Sequence, residues 1–132
     1  MYVDRNILVT GGTGMIGSHL IEQLLQRGAK IRSIVHHRDI PHELRNKGIE
    51  FLEGDLGDSE FCDKAVKGMD FVFHLAADHG GRGYITTHPA DVCSSFAVDH
   101  HVYEACSDAN VKKVIFSSSA CVYPTELQKD VG

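Results

Sequence analysis

Three hydroxyl groups and a thiol lie close together near the end of the sequence, at Ser117, Ser118, Ser119 and Cys121. They follow the apolar run at residues 111–116, which predicts a buried strand. Hydroxyls at the end of a strand can hydrogen-bond a substrate oxygen, and a cysteine of lowered pKa can act as an acid or a base. A serine-rich turn taken alone is usually only a turn, so this chemistry depends on what lies beside it.

A second chemical pattern lies near the start of the sequence, where Gly12-x-Gly14-x-x-Gly17 has the spacing of a dinucleotide-binding turn. The turn follows an apolar run at residues 6–9, a predicted parallel strand, and precedes a stretch with helical spacing at residues 18–27. Strand, glycine turn and helix in direct succession favour a phosphate site over the alternative interpretation, a glycine turn without a ligand.

The glycines have different predicted roles. Gly11 and Gly12 permit a tight turn, Gly14 lets the backbone approach a pyrophosphate, and Gly17 lets the helix pack close to the strand. The start of the helix offers unpaired N–H groups and a partial positive charge to the phosphates. The predicted cofactor contacts in this segment are Gly11, Gly14, Met15, Ile16 and Gly17.

The segment after the predicted second strand bears on the choice of cofactor. Residues 31–35 predict this strand, which completes a βαβ unit of about 30 residues. A dinucleotide site expects an acid about 20 residues beyond the glycines, for the ribose 2′-OH. The sequence has His36, His37 and Arg38 first, and the acid Asp39 only afterwards. Basic groups suit a 2′-phosphate, so His36, His37 and Arg38 favour NADP over NAD; the alternative is a solvated basic loop.

Two further strand ends supply candidates. Asp55 and Leu56 end the predicted third strand, residues 49–56, at the side where ligands bind in open α/β sheets. Alone, Asp55 would be no more than a turn or cap residue. The predicted fourth strand, residues 70–77, ends in residues with small side chains. Small side chains there would let the backbone of a cofactor approach; the alternative is that they allow tight packing of the sheet.

Residues 78–89 interrupt the regular pattern. Gly80-Gly81-Arg82-Gly83 is predicted to form neither a helix nor a stable strand. A loop of about a dozen residues in so short a chain is more often functional than not. Arg82 would be its anion contact, because guanidinium offers a planar fork of donors; the alternative is a mobile surface loop with a solvated arginine. The next stretch, residues 90–109, predicts a helix with an apolar stripe for the core or a subunit contact.

Composition excludes several classes of function. The 132 residues predict one domain, residues 1–132, and the 42% hydrophobic and 23% charged content is that of an ordinary soluble protein. A net charge of -5 argues against nucleic acid or a membrane as partner. No apolar run approaches the roughly 18 residues of a membrane helix, and residues 1–4 do not begin a signal peptide. We therefore expect a cytoplasmic protein.

The cysteines and histidines of the sequence do not have the spacing of metal ligands. The four cysteines have no C-x-x-C pattern and are predicted to be free thiols. The adjacent pairs His36-His37 and His100-His101 are expected to point apart. We predict no metal site.

Four segments resemble, in order, the extended short-chain dehydrogenase/reductase family of nucleotide-sugar epimerases and dehydratases. They are residues 10–17, 54–56, 74–77 and 116–123, and they extend over nearly the whole chain. With the alternation of strands and helices, the resemblance predicts an α/β fold, a Rossmann-type doubly wound parallel sheet of order 3-2-1-4-5 with helices on both faces. The cofactor contacts that it implies are Asp55 (to adenine), Leu56, Leu75, Ala76, Ala77 and Ser117.

Two segments narrow the resemblance within the family. Residues 76–85 resemble the sugar-binding loop of GDP-mannose 3,5-epimerases, and residues 118–124 resemble their active-site turn, which GDP-fucose synthases share. Residues 88–91 are closer to the synthases. The implied substrate contacts are Gly80, Gly81, Arg82, Gly83 and Ser118, and the implied catalytic residues are Ser119 and the acid/base Cys121.

The mechanism implied by the resemblance is oxidation at C4 of the sugar by the nicotinamide, proton exchange at C3 or C5 by Cys121 and a partner, and return of the hydride. Ser119 would hydrogen-bond the C4 oxygen.

The sequence departs from the pattern of the family in two respects. No tyrosine is followed four residues later by lysine, so the family's Tyr-x-x-x-Lys pair is absent, and Ser95 replaces its usual asparagine.

These departures lead us to interpret the chain as the N-terminal cofactor-binding part of a GDP-sugar epimerase, truncated before its substrate domain and inactive alone. The resemblance implies a homodimeric parent enzyme that associates through the helix at residues 90–109 and the helix that carries the missing Tyr/Lys pair. We therefore expect weakened or altered dimerisation of this chain. The alternatives are a reductase or dehydratase of a nucleotide sugar, such as a GDP-fucose synthase-like enzyme, and a non-catalytic NAD(P)-binding module.

Overall fold

Five parallel strands form one sheet in the order β3-β2-β1-β4-β5, which confirms the predicted topology. The computed structural model describes residues 2–77, 82–119 and 122–124. The strands are β1 (Asn6–Thr10), β2 (Lys30–Val35), β3 (Glu50–Glu53), β4 (Phe71–His74) and β5 (Lys113–Phe116). The α-helices are α1 (Met15–Gln26), α2 (Ser59–Val66), α3 (Arg82–Thr87) and α4 (Pro89–Asp108), and a 3-10 turn spans His42–Leu44.

The core has two layers because successive side chains of β1 point to opposite faces of the sheet. Ile7 and Val9 pack against Ile21 and Leu24 of α1. Leu8 packs on the other face with α2 and α4. Near-continuous apolar strands therefore require helices on both faces, as the Rossmann-type prediction demands.

Two cysteines belong to this core: Cys62 on α2 and Cys106 on α4, here called the core thiols. Both are buried free thiols, and burial raises the pKa of each to about 11. Cys93 is also a free thiol but is exposed. The prediction of free thiols holds for these three residues, and Cys121 lies outside the described part of the chain.

The predicted loop at residues 78–89 is wrong from residue 82 onward, because Arg82–Thr87 is helical. One glycine inside a helix costs only about 1 kcal/mol relative to alanine, so Gly83 does not prevent the turn. The Thr87 hydroxyl donates to the carbonyl of Gly83 at 2.9 Å. Pro89 then begins α4 at a first-turn position, where the ring is tolerated.

Smaller differences concern caps and local packing. The sequence predicts Ser59 as the cap of the helix that follows β3, but Asp58 caps α2, with its carboxylate accepting from the N–H of Glu60 at 3.0 Å. Residues 41–46, which precede Gly48, predict a short helix from the sequence, but only the 3-10 turn at His42–Leu44 forms. The rings of His36 and His37 do not point apart, since their centroids are 3.5 Å from each other. Both residues follow the end of β2, where strand alternation no longer applies.

Candidate functional site

The carboxyl ends of the three strands β1, β4 and β5 bring the candidate segments to one edge of the sheet. Thr10 is paired in register with His74, and His74 with Phe116. The residues that follow, Gly11, Leu75 and Ser117, therefore lie beside one another. The N–H of Ser117 donates to the carbonyl of His74 at 3.2 Å, which continues the ladder into the serine turn.

The glycine turn is packed so closely that side chains do not fit within it. A Cβ atom on Gly17 would lie 2.2 Å from the carbonyl oxygen of Gly11, and one on Gly12 would lie 2.1 Å from the hydroxyl of Ser33. Gly11 has φ +67° and lies against the backbone of Leu75 and Ala76. These contacts place the start of α1 directly against the end of β1.

The N-terminus of α1 is open toward the same edge. Gly14 is the N-cap, no side chain caps the helix, and its first turn holds no acidic residue. Beside it, Met15 and Ile16 are 78% and 67% exposed. Helix N–H groups without a cap and without a neighbouring carboxylate suit a pyrophosphate, so the residues present fit a dinucleotide.

The segment after β2, where the adenosine of a dinucleotide is expected, lies beside a cavity. A cavity of about 520 Å³ there is lined by Val35, His36, His37, Arg38, Asp39, Ile40, Arg45 and Glu53. Nε2 of His36 lies 3.7 Å from the carboxylate of Asp55, which is exposed and accepts from the N–H of Gly57 at 2.8 Å. One carboxylate oxygen of Asp55 thus lies toward His36, and the other accepts from the backbone of its own turn.

Two charged residues of the cavity were not predicted, Arg45 and Glu53. Arg45 is held by a hydrogen bond from its Nε to the carbonyl of Ile40 at 3.1 Å. It lies seven residues beyond Arg38, and only the turn at His42–Leu44 folds it back onto the cavity. Glu53 ends β3 and adds an acid to the basic lining, so the charge of the cavity is mixed.

A buried polar chain, also not predicted, links the end of β1 to α4. The Thr10 hydroxyl oxygen lies 2.7 Å from Nδ1 of His74, and Nε2 of His74 lies 2.9 Å from the carboxylate of Asp99. Thr10 and His74 are fully buried. Burial lowers the pKa of His74 below its ordinary value of 6.5, against the opposing effect of Asp99. The sequence signal was weak, since a histidine within an apolar strand is ordinarily a core residue.

Within the described part of the chain, no helix is long and apolar enough to cross a membrane. Nor do those residues contain a group of three or more His, Cys, Asp or Glu that could hold a metal ion.

Comparison with known proteins agrees with this geometry. Residues 7–131 match the model of the NAD dependent epimerase/dehydratase family. The chain belongs to that family.

Relatives and solved structures of the epimerase/dehydratase family give the range of similarity. GDP-mannose 3,5-epimerase 1 of Oryza sativa subsp. japonica is 34% identical over 120 residues, 89% of this chain and 32% of that protein. The decarboxylating sterol-4-alpha-carboxylate 3-dehydrogenase of Mus musculus is 34% identical over 118 residues, 89% of this chain and 31% of that protein.

Among solved structures, UDP-glucose 4-epimerase of Thermus thermophilus in complex with NAD has a TM-score of 0.77 and 31% identity, and the match covers 86% of this chain and 37% of that one. The chain thus spans about a third of the length of the relatives that it matches. Membership of the family and the NAD-bound neighbour support a nicotinamide dinucleotide as the cofactor type.

The residues predicted to contact the substrate lie only partly within the described ranges of the chain. Ser117, Ser118 and Ser119 are exposed just beyond β5, and the carbonyl of Ser119 accepts from the N–H of Val122 at 3.2 Å. The backbone of Arg82 and Gly83 begins α3. Gly80, Gly81 and Cys121 lie outside the described residues, so their predicted roles stay predictions.

Proposed function

We propose that this chain supplies the cofactor site of an NAD(P)-dependent epimerase that acts on a GDP-sugar. The observation that carries the proposal is the open N-terminus of α1, which follows a closely packed glycine turn whose Gly11 lies against the backbone of Leu75 and Ala76. It offers the pyrophosphate N–H donors without a competing acid. Asp55 is assigned to the adenosine, and the ends of β4 and β5 to the nicotinamide.

The serine turn is assigned to the sugar. A bound nicotinamide supplies reversible acceptance of hydride from a sugar carbon. The Ser119 hydroxyl would donate to the oxygen on that carbon, where negative charge develops in the transition state. Cys121 would move a proton at a neighbouring carbon, and Ser118, Arg82 and the glycines beside it would hold the sugar nucleotide.

The assignment of a GDP-sugar rests on the local resemblance of residues 76–85 and 118–124 to GDP-mannose 3,5-epimerases. Overall sequence identity does not distinguish the substrates. The GDP-mannose epimerase and the sterol dehydrogenase named above are both 34% identical to the chain. A UDP-glucose 4-epimerase is 31% identical. What favours proton exchange over a simple dehydrogenase or 4-epimerase is the cysteine of the serine turn, because neither of those reactions needs a thiol acid/base there.

The cofactor phosphate is proposed from the charges of the adenosine cavity. His36, His37, Arg38 and the newly found Arg45 line it and suit a 2′-phosphate. Asp39 and Glu53 oppose them. We propose a preference for NADP, for which the NAD-bound neighbour gives no support.

The first experiment is calorimetric titration of the chain with NAD+ and NADP+. Binding of either in the micromolar range supports the cofactor site, and tighter binding of NADP+ supports the role of the basic residues. A folded chain that binds neither cofactor would refute the proposal. The His100→Asn variant, which alters an exposed histidine of α4 away from the glycine turn, is the control and is expected to bind as the wild type does.

The reaction is tested separately, on the product of the reading frame that encodes the chain, because the chain spans about a third of the length of its relatives. Incubation with a GDP-hexose and cofactor in deuterated water is expected to introduce deuterium at C3 or C5. The Cys121→Ser variant is expected to lose that exchange and keep cofactor binding. Net reduction of the sugar, or loss of water from it, would instead support the reductase or dehydratase alternative. No reaction from a full-length protein would support the non-catalytic module.

Association and location complete the proposal. Phe96 on α4 is 73% exposed and Tyr103 on the same helix is 40% exposed, which supports a homodimer through α4. The free thiols Cys62, Cys93 and Cys106 support a reducing compartment, the cytoplasm. Light scattering of the wild type and of Phe96→Glu tests the interface. The variant is expected to have the lower mass in solution, and equal masses for the two proteins would refute an interface at α4.

A further inference from the structure

The hydroxyl of Thr10 has three hydrogen-bonding partners, and their chemistry fixes the direction of each bond. The N–H groups of Leu75 and Ala76 both lie 3.1 Å from its oxygen. An N–H group can only donate, so these two bonds use both lone pairs of the oxygen. The hydroxyl proton of Thr10 must therefore go to its third partner, Nδ1 of His74.

This direction sets the tautomer of His74. A ring nitrogen that accepts carries no proton, so the proton of a neutral His74 is on Nε2. Nε2 faces the carboxylate of Asp99 at 2.9 Å and donates to it. Every donor in the chain from Asp99 to the two amides thus has an acceptor, and the contact between His74 and Asp99 is a hydrogen bond from a neutral ring.

We propose that Asp99, His74 and Thr10 form a positioning relay that holds the end of β4 in the geometry a dinucleotide requires, so that tight cofactor binding needs a neutral His74. The proposal rests on the proposed cofactor site, because Leu75 and Ala76 are its expected wall. The same two residues lie against Gly11, where an added Cβ atom would be only 3.0 Å from their backbone atoms. A displaced β4 end would therefore disturb the glycine turn as well.

Protonation of His74 breaks the relay for a geometric reason. With a proton on Nδ1, the ring can no longer accept from Thr10 and becomes a third donor toward an oxygen that already accepts two bonds. One amide, of Leu75 or Ala76, then loses its partner. Groups that face His74 come from β1 (Thr10), β5 (Phe116) and α4 (Asp99 and Tyr103).

Of these groups, only Asp99 and Tyr103 titrate. Burial raises the pKa of Tyr103 above its ordinary value of 10, so it stays neutral at and below neutral pH. Asp99 is therefore the charge that faces His74 among the described residues, and it favours the protonated ring. Removing that charge while keeping an acceptor should make the relay more resistant to acid.

The test is calorimetric titration with NAD+ from pH 8 to pH 5 in the wild-type chain and in matched variants. Thr10→Ser keeps the hydroxyl and is expected to retain the wild-type affinity. Thr10→Val keeps the shape without the hydroxyl and is expected to lose roughly tenfold at pH 8. Asp99→Asn is expected to move the acid loss of affinity down by about one pH unit. His100→Asn, an exposed histidine of the same helix, is the control.

A purely structural role for these residues would lower affinity equally at all pH values. Identical acid profiles in the wild type and Asp99→Asn overturn the relay and leave the proposed function standing. If Thr10→Val does not fold, Thr10→Ser and Asp99→Asn still decide the question. His36 and His37 are present in both chains, so a shift between the two profiles belongs to Asp99.

The tautomer has a readout that does not depend on the cofactor. Nitrogen-15 spectra of the His74 ring at pH 8 are expected to show a protonated Nε2 and an unprotonated Nδ1. A protonated Nδ1 overturns the relay even if NAD+ binds. A folded wild-type chain with the expected tautomer that binds neither NAD+ nor NADP+ refutes the proposed function and the positioning role with it.

Discussion

Gly17→Ala is the sharpest test of how the glycine turn is built. Gly17 lies in the first turn of α1, where the helix meets the end of β1. An added Cβ atom would lie 2.2 Å from the carbonyl oxygen of Gly11, 2.7 Å from Cα of Gly12 and 2.9 Å from the carbonyl carbon of Gly11. All three are backbone atoms, so no side chain can rotate to make room, and the turn itself must widen.

The expected cost follows from two opposing effects. Overpacking costs about 1–3 kcal/mol, and a contact with backbone belongs at the upper end of that range. Alanine is favoured over glycine in a helix by about 1 kcal/mol. The free energy of unfolding should therefore fall by about 2 kcal/mol. At about 4 °C per kcal/mol for a chain of this size, Tm should fall by about 8 °C.

Thermal and urea unfolding of three variants measure this. Gly83→Ala has an open neighbourhood in α3 and should leave Tm unchanged or slightly higher. Gly14→Ala meets only the carbonyl oxygen of Gly11, at 3.2 Å, in an extended conformation that alanine adopts. It should cost less stability than Gly17→Ala and yet weaken NAD+ binding, because its methyl group faces the phosphate position. A Gly17→Ala chain with wild-type Tm and wild-type affinity for NAD+ would show that the turn widens freely and refute this reasoning.

Three further predictions concern charge and reactivity. Arg38→Ala should lower affinity for NADP+ about tenfold and leave NAD+ unaffected, as measured by calorimetry. The Lys112 ammonium lowers the pKa of Asp70 below its ordinary 3.8, so the stability that Asp70 adds is complete above pH 3.8 and is lost as pH falls through the lower folded value. The gap in urea midpoint between wild type and Asp70→Asn should accordingly close in acid. With pKa values of about 11 the core thiols are about one part in a thousand ionised at pH 8, so iodoacetamide should modify exposed Cys93 before them in peptide mass spectra.

The sequence predicts the sheet well because its strands are local and apolar. Residues 6–9 lie within β1 and residues 31–35 within β2, and the crossover between these strands has room for only one helix. Element ends are less predictable, since they depend on individual side-chain contacts. Asp58 caps α2 where Ser59 was expected, because its carboxylate reaches the N–H of Glu60. The glycines at residues 80–83 led to a predicted loop that extends too far along the chain, because a helix tolerates one glycine once its neighbours pack.

Within the candidate site, too, contacts between residues that are close in sequence were predictable and contacts between distant residues were not. The glycine turn was predictable because its residues are consecutive and their roles depend on backbone geometry. The chain from Thr10 through His74 to Asp99 was not, since it joins residues 64 and 25 positions apart. Only the register of β1 with β4 places Thr10 beside His74, and only the packing of α4 brings Asp99 to the other ring nitrogen. A histidine that is fully buried must satisfy both nitrogens, and the neutral ring does so only in the orientation that leaves Thr10 free to hold β4.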